Sequence, residues 1–179
     1  KGIIVHSSTC SHNLVDVIRQ HGGTPVKDHV GHTFMNIRMR KEKALFGVEN
    51  QGHFFYRDNF YADSGIISAL LMCQIYKQAG KKMSQQVLQV TKYCKLEEVN
   101  LKLKNTLDLL DKVEEYYRAE HPRLIDRLDG LTVEFPDYWF SIRISQTEHV
   151  VRLNVEAHTE EAAQIYLKKL IRVVNKVSK

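Results

Sequence analysis

Cysteine is scarce in this chain: Cys10, Cys73 and Cys94 are the only three among 179 residues. Their odd number, their wide separation and the lack of a Cys-x-x-Cys pair argue against both a disulfide framework and a cysteine-ligated zinc module, and a reducing, cytoplasmic setting is the expectation. Long apolar runs are missing too. The longest, from Ile66 to Cys73, is interrupted by Ser68 and falls far short of the ~20 residues that a membrane helix needs, so no membrane partner is expected. The opening Lys1-Gly2-Ile3-Ile4-Val5 has none of the charged, apolar and small-residue regions of a signal peptide, which makes secretion unexpected. There is no internal repeat, no low-complexity tract and no G-x-S-x-G elbow. The nine histidines include no helical i, i+4 pair with an acidic third ligand, so no metal site is expected from spacing.

What remains is the composition of an ordinary globular protein, with 43% hydrophobic residues and a net charge of +5. That charge conceals an asymmetry. Residues 1–95 hold 13 basic and 6 acidic side chains, whereas residues 96–179 hold 13 and 15. Two units with different surfaces are expected, 1–94 and 95–179.

The first unit reads as α/β. A strand at Ile3-Ile4-Val5 is followed by Ser11 as a helix cap, Leu14, Val17 and Ile18 at helical spacing, and Gly22-Gly23 as the stop. A second apolar stripe (Phe34, Ile37, Met39) precedes strands at 43–46 and 54–56. A long helix is expected from about Asp63, with Ile66, Ile67, Leu70, Leu71 and Ile75 packed on the sheet, and a short one from Ser84. The second unit opens on a strand with Leu96, Val99, Leu101 and Leu103. Thr106 is expected to cap a helix carrying Leu110, Val113 and Tyr117, which Pro122 interrupts. Strands at 131–135 and 139–144 and another around Val151, Leu153 and Val155 follow, the last two alternating with period two. A final helix has Glu160 and Glu161 in its first turn, basic residues toward its end, and Ala163, Tyr166, Leu167, Leu170 and Val174 on its buried face.

Two loops carry chemistry. In Arg143-Ile144-Ser145-Gln146-Thr147-Glu148-His149-Val150-Val151-Arg152, a hairpin tip at 146–149 sets Arg143 opposite Arg152. Like charges opposed across strands are destabilising, which points to an anion between them, held by guanidinium forks, hydroxyls and backbone N–H groups. Pairing of the arginines with Glu148 and Glu156 is the other reading, and spacing alone leaves the two even. The second loop, Gly47-Val48-Glu49-Asn50-Gln51-Gly52-His53, collects a carboxylate, two amides and an imidazole, the mixed donors and acceptors that sugar hydroxyls require. A polar turn has the same composition.

Together these loops resemble those of the phosphohexomutases, the phosphomannomutase/phosphoglucomutase family. Glu49, Gly52 and His53 match its sugar loop G-E-x-S-G-H, and Arg143, Ser145, Thr147, Glu148 and Arg152 match its phosphate loop R-x-S-x-T-E-P…R. Gly22-Gly23 with Val30-Gly31-His32, Asp63-Ser64-Gly65, and Leu128-Asp129-Gly130 before Trp139 resemble further family segments in the same order. The resemblance implies a three-layer α/β domain, the family's third, followed by a small α+β domain, its fourth, with an antiparallel sheet packed against helices and similar to the TATA-binding-protein fold. It implies interconversion of hexose 1-phosphate and hexose 6-phosphate through a phosphoserine and a bisphosphate. Glu49, Gln51, His53 and His32 would bind the sugar, and Arg143, Ser145, Gln146, Thr147 and Arg152 the phosphate.

The sequence also departs from the family pattern. Gln51 replaces a serine, Val48 a frequent second glycine and His149 a proline, and Thr9 stands where some members have a lysine. The family's T-A-S-H-N-P nucleophile loop and D-G-D-G-D-R magnesium loop are not in this sequence. Ser11-His12-Asn13 imitates the former in part but reads as a helix cap. The resemblance therefore implies a C-terminal half, inactive alone, whose N-terminal domains are missing. Mg2+ and a hexose bisphosphate activator would belong to the full-length enzyme, with neither bound by this part. The rival reading is a stand-alone, non-catalytic module that binds anions or nucleic acid, suggested by the basic cluster of Arg38, Arg40, Lys41 and Lys43. Against nucleic acid, the second unit is net acidic and its arginines gather at one hairpin.

Overall fold

The computed structural model of the chain describes residues 2–103, 106–145 and 150–178. By its internal contacts the chain divides into two compact units, Lys1–Lys92 and Tyr93–Lys179.

In the first unit, β1 (Ile3–Ser7), β2 (Thr24–Asp28) and β3 (Phe46–Val48) are parallel, with β1 in the middle. The strands β4 (Phe54–Tyr56) and β5 (Ala62–Asp63) extend the sheet in antiparallel fashion beyond β3. The helices α1 (His12–Gln20) and α2 (His32–Glu42) form the connections between the parallel strands. Ser11 caps α1 as expected, its Oγ accepting the Asn13 N–H at 3.0 Å. The buried cluster consists of Val5, Met35, Met39, Ala44 and Phe55.

Three expectations for this unit need correction. Of the stripe expected on α2, Met39 is buried, but its companion is Met35, at i, i+4, while Phe34 and Ile37 are 49% and 61% exposed. Lys43 takes the left-handed conformation (φ 51°) that ends α2, so the next strand begins at Phe46 and not at 43. The helix α3 (Gly65–Ala79) is capped by the Ser64 Oγ, which accepts the Ile67 N–H at 3.2 Å. Asp63 itself ends β5. No residue of α3 is buried, and Ile66, Leu70, Leu71 and Ile75 are exposed, so the expected packing of this stripe on the sheet is not realised. A short helix, α4 (Met83–Val90), completes the unit.

The second unit contains β6 (Cys94–Lys95), β7 (Val99–Lys102), α5 (Leu109–Arg118), β8 (Leu124–Asp126), β9 (Leu131–Glu134), β10 (Tyr138–Ile144), β11 (Val150–Ala157) and α6 (Glu160–Val177). Its antiparallel sheet runs β6-β11-β10-β9-β8, and β7 also pairs with β11. Cys94 pairs with Ala157 and Lys95 with Glu156. That ladder draws Cys94 into the second unit, and the division by contacts falls after Lys92, two residues before the expected boundary. Leu109, Val113 and Tyr117 of α5 and Leu170, Val173 and Val174 of α6 close over Leu131, Val133, Phe140, Ile142, Val151, Leu153 and Val155 of the sheet. The helix α5 starts later than a Thr106 cap would place it and buries Leu109 where Leu110 was expected. Tyr138 stacks on Tyr166 with centroids 3.6 Å apart, and Tyr117 packs against Phe140 at 4.6 Å.

The second face of this sheet is polar yet buried. The Trp139 indole N–H donates to Glu156 Oε1 at 2.8 Å; Asn154 accepts from Lys95 Nζ at 2.8 Å and donates to Glu98 Oε2 at 2.9 Å. Among the described residues no helix is long and apolar enough to cross a membrane.

Candidate functional site

In the first unit the carboxyl ends of the three parallel strands run into Ser8–Ser11, His29–Gly31 and Glu49–His53, the end of an open α/β sheet where ligands gather. The loop after β3 is closed by the Glu49 N–H donating to His53 O at 2.9 Å and the Gly52 N–H donating to Glu49 O at 3.0 Å. Gly52 has φ +88° with open space where a Cβ would stand, a conformation that favours glycine.

Glu49 is only 3% exposed, and a carboxylate so placed needs donors. One is the Gly31 N–H, 2.6 Å from Oε1; Gly31 sits at φ +132° just before α2. His32, the first residue of that helix, brings Nε2 to 3.9 Å from Glu49 Oε2 and 3.8 Å from Asp63 Oδ2. His53 Nδ1 lies 2.7 Å from Asp63 Oδ2, and the Phe54 N–H donates to Asp63 Oδ1 at 3.0 Å. Burial alone would raise the Asp63 pKa; the His53 hydrogen bond, the Phe54 amide and the two imidazoles outweigh it and hold the carboxyl below its ordinary range. The rings of His32 and His53 meet edge to face at 4.4 Å, and His32 meets Phe55 in the same way at 5.1 Å. Three of the four expected sugar-binding residues thus converge, while Gln51 lies on the exposed turn.

Two partners of this cluster were not anticipated. Asp63 was read only as a helix start, and its coupling to His53 arises because β5 pairs with β4. Ser7 Oγ accepts the Asn50 N–H at 3.3 Å and lies 3.3 Å from Thr9 Oγ1, which ties the loops after β1 and β3 together. Thr9, at the position of some members' lysine, is fully buried.

In the second unit the register sets Arg143 directly opposite Arg152, as the hairpin reading requires. The Ser145 N–H donates to Val150 O at 3.0 Å and closes the ladder below the tip. Gln146, Thr147, Glu148 and His149 lie outside the described residues. The opposed charges are not left to an external anion alone. Arg143 Nε is 3.0 Å from Asp129 Oδ2, and Arg152 Nε is 4.0 Å from Glu98 Oε1. Of the two partners in the alternative reading, Glu156 accepts the Trp139 indole N–H and Glu148 lies outside the described residues. A guanidinium carries five N–H donors, so a carboxylate at Nε does not exhaust it.

The two arginines of the basic cluster are engaged within their own unit. Arg38 Nε is 3.1 Å from Glu42 Oε1, and Arg40 donates to Asn36 Oδ1 at 2.9 Å and Phe60 O at 2.7 Å while lying over the Tyr61 ring.

With these geometries in place, two family models account for the chain. Residues 1–93 match the phosphoglucomutase/phosphomannomutase alpha/beta/alpha domain III, and residues 98–173 match the C-terminal domain of the same family. The chain belongs to the phosphoglucomutase/phosphomannomutase family. It is 39% identical over 155 residues to a phosphomannomutase of Escherichia coli K12, covering 86% of this chain and 34% of that protein. A protein of Xanthomonas campestris named for phosphohexose mutases is 33% identical over 162 residues, 90% of this chain and 36% of that one. Among solved structures, a phosphoglucomutase/phosphomannomutase family protein of Burkholderia thailandensis superposes with a TM-score of 0.83 at 25% identity, over 99% of this chain and 38% of that one. The chain therefore spans about a third of the length of the relatives it matches, and its fold is that of the family's third and fourth domains.

Proposed function

We propose that this chain is the sugar- and phosphate-recognising part of a phosphohexomutase, an isomerase that interconverts hexose 1-phosphate and hexose 6-phosphate through a phosphoserine and a bisphosphate intermediate. The observation that carries this reading is the fixed Glu49 carboxylate. With Oε1 on the Gly31 N–H, Oε2 faces His32, a preorganised acceptor for sugar hydroxyls flanked by imidazoles. His53, held by Asp63, supplies a second polar contact, and Gln51 an adaptable one. In the second unit Arg143, Arg152 and Ser145, together with Gln146 and Thr147, would grip the phosphate that does not react, since paired guanidinium forks suit phosphate geometry.

Magnesium belongs to the family chemistry; a solved Aspergillus fumigatus N-acetylphosphoglucosamine mutase, alike in fold, is described in complex with GlcNAc-6P and magnesium. The donors gathered in this chain do not fit that ion. Magnesium seeks an octahedral set of oxygens, whereas the cluster around Glu49 is rich in imidazole. No step is assigned to magnesium within this chain, and the nucleophile is likewise assigned to the missing domains. The chain's own part is to bind and orient the sugar phosphate, and by itself it should show no mutase activity.

Titrating the 179-residue chain with mannose 6-phosphate while following amide NMR tests the proposal. Shifts are expected at Glu49–His53 and beside Arg143 and Arg152. Glu49→Ala should weaken binding by about 1.5–3 kcal/mol, the range for a hydrogen bond to a charged group. Shifts confined to other surfaces, or an unchanged affinity of the variant, would assign Glu49 to structure alone.

A further inference from the structure

Histidine spacing gives no hint of a metal site, yet the fold gathers a set of metal-ligating side chains. His32, Glu49 and His53 each present a ligand atom within 4.8 Å of the other two, although they come from the start of α2 and from the two ends of the loop between β3 and β4. We infer that this cluster is a binding site for a borderline divalent transition metal such as Zn2+ or Co2+, held by two imidazoles and one carboxylate.

The donor chemistry selects the class of ion. Two imidazoles and a carboxylate suit zinc, cobalt and nickel and are poor ligands for magnesium or calcium. Three protein ligands leave a fourth tetrahedral position open, the pattern of an accessible site. The surroundings fix the ligands as such a site requires. Glu49 is anchored through Oε1 by the Gly31 N–H, leaving Oε2 to turn toward an ion. His53 Nδ1 is engaged by Asp63 at 2.7 Å, the carboxylate–imidazole support that orients a ligating histidine and leaves its other nitrogen for the metal. His32 is the adjustable member. Its side chain is 56% exposed, so it can rotate inward to bring the donors to the ~3.3 Å separations implied by metal–ligand bonds of about 2.0–2.1 Å.

On the sugar reading above, such an ion would occupy the carboxylate oxygen that the sugar hydroxyls use. The site would then be inhibitory in a working enzyme.

The test uses the whole chain, freed of metal by a chelator and titrated with Co2+ in the absence of any sugar phosphate. The expected result is one ion bound with the intense visible absorption of four-coordinate cobalt, bleached when Zn2+ displaces it. His32→Ala and Glu49→Gln should abolish the bands, and Asp63→Asn should weaken binding about 10–100-fold through the loss of orientation. His121→Ala, in the second unit, should leave them unchanged. Absence of the bands in the folded parent chain, or bands that survive in His32→Ala, would overturn the assignment. Because no sugar enters the titration, its failure leaves the sugar reading of Glu49 standing.

Discussion

The two units solve different problems with their polar residues. In the second, buried aromatic and aliphatic side chains from α5, α6 and the strands β9, β10 and β11 form one continuous core, and on the other face of the sheet Asn154 bonds to Lys95 and Glu98 while Trp139 bonds to Glu156. In the first, the apolar cluster is small and leans on two methionines. The buried polar residues Ser7, Ser8, Thr9 and Glu49 sit at strand ends, where they shape loops. The first unit therefore spends its interior on holding a site, and the second spends its interior on holding itself. Stability and ligand sensitivity should separate accordingly.

The sharpest way to break that comparison is to excavate each core. Phe140→Ala removes a fully buried ring packed on Tyr117 and should cost the second unit about 3–5 kcal/mol. Met39→Ala in the first unit should cost about 2 kcal/mol, the low end for methionine, because a flexible thioether leaves a gap that its neighbours partly fill. Trp139, the only tryptophan, lies in the second unit and reports its unfolding by fluorescence in urea. Amide exchange at Val5 reports the first. Equal losses in the two units would show that the smaller cluster is as tightly packed as the larger one.

Acid should separate them next. His6 is 6% exposed on β1, and burial first, then the charges of Lys27, His12 and Arg19, lower its pKa to about 4 against the partial opposition of a bond to Ser7 O. Between about pH 6.5 and pH 4 the unfolded chain binds a proton that the folded chain refuses, so stability rises with pH across that window and falls on acidification. At about 1.4 kcal/mol per pH unit, the loss approaches 3 kcal/mol by pH 4, and it falls on the first unit. Asp63 acts lower, its contribution disappearing only as pH drops below the ordinary carboxylate range. Urea unfolding followed at Val5 against pH measures the slope. If His6→Gln leaves that slope unchanged, His6 is not its source.

How much of this was legible in the sequence follows the same division. The opposition of Arg143 and Arg152 could be counted from the loop because strand periodicity is strict and both residues flank one turn. The carboxylates that meet them could not, since Asp129 and Glu98 arrive from other parts of the chain. The loop at 47–53 was visible as a local motif, but its coupling to Asp63 and Gly31 depends on which strands and helices become neighbours. The strand β8 escaped notice because its only apolar residues are Leu124 and Ile125, between Pro122 and Asp126, where β4 offers an aromatic run. The face of α2 was misread in part for another reason: Phe34, Met35, Ile37 and Met39 satisfy helical spacing in more than one way, and only the sheet decides among them, whereas the apolar residues of α3 surround the helix and the sheet buries none of them.

The smallest expected difference is also the most specific. Ser11 and Thr159 cap α1 and α6 in the same manner, their side-chain oxygens accepting the Asn13 and Ala162 N–H groups at 3.0 and 3.2 Å. Each replacement by alanine removes one acceptor from a helix N-terminus and should cost about 1 kcal/mol. Ser11→Ala should act only on the first unit and Thr159→Ala only on the second, as read by the Val5 amide and the Trp139 fluorescence. The pair also tests Ser11 against its likeness to a nucleophile loop. A cap loses stability on substitution and leaves mannose 6-phosphate affinity alone, whereas a residue facing the ligand changes affinity at constant stability. The hydrogen bond to Asn13 and the position at the first turn of α1 favour the former outcome, because a hydroxyl oxygen already accepting the helix N–H is turned toward the backbone it caps.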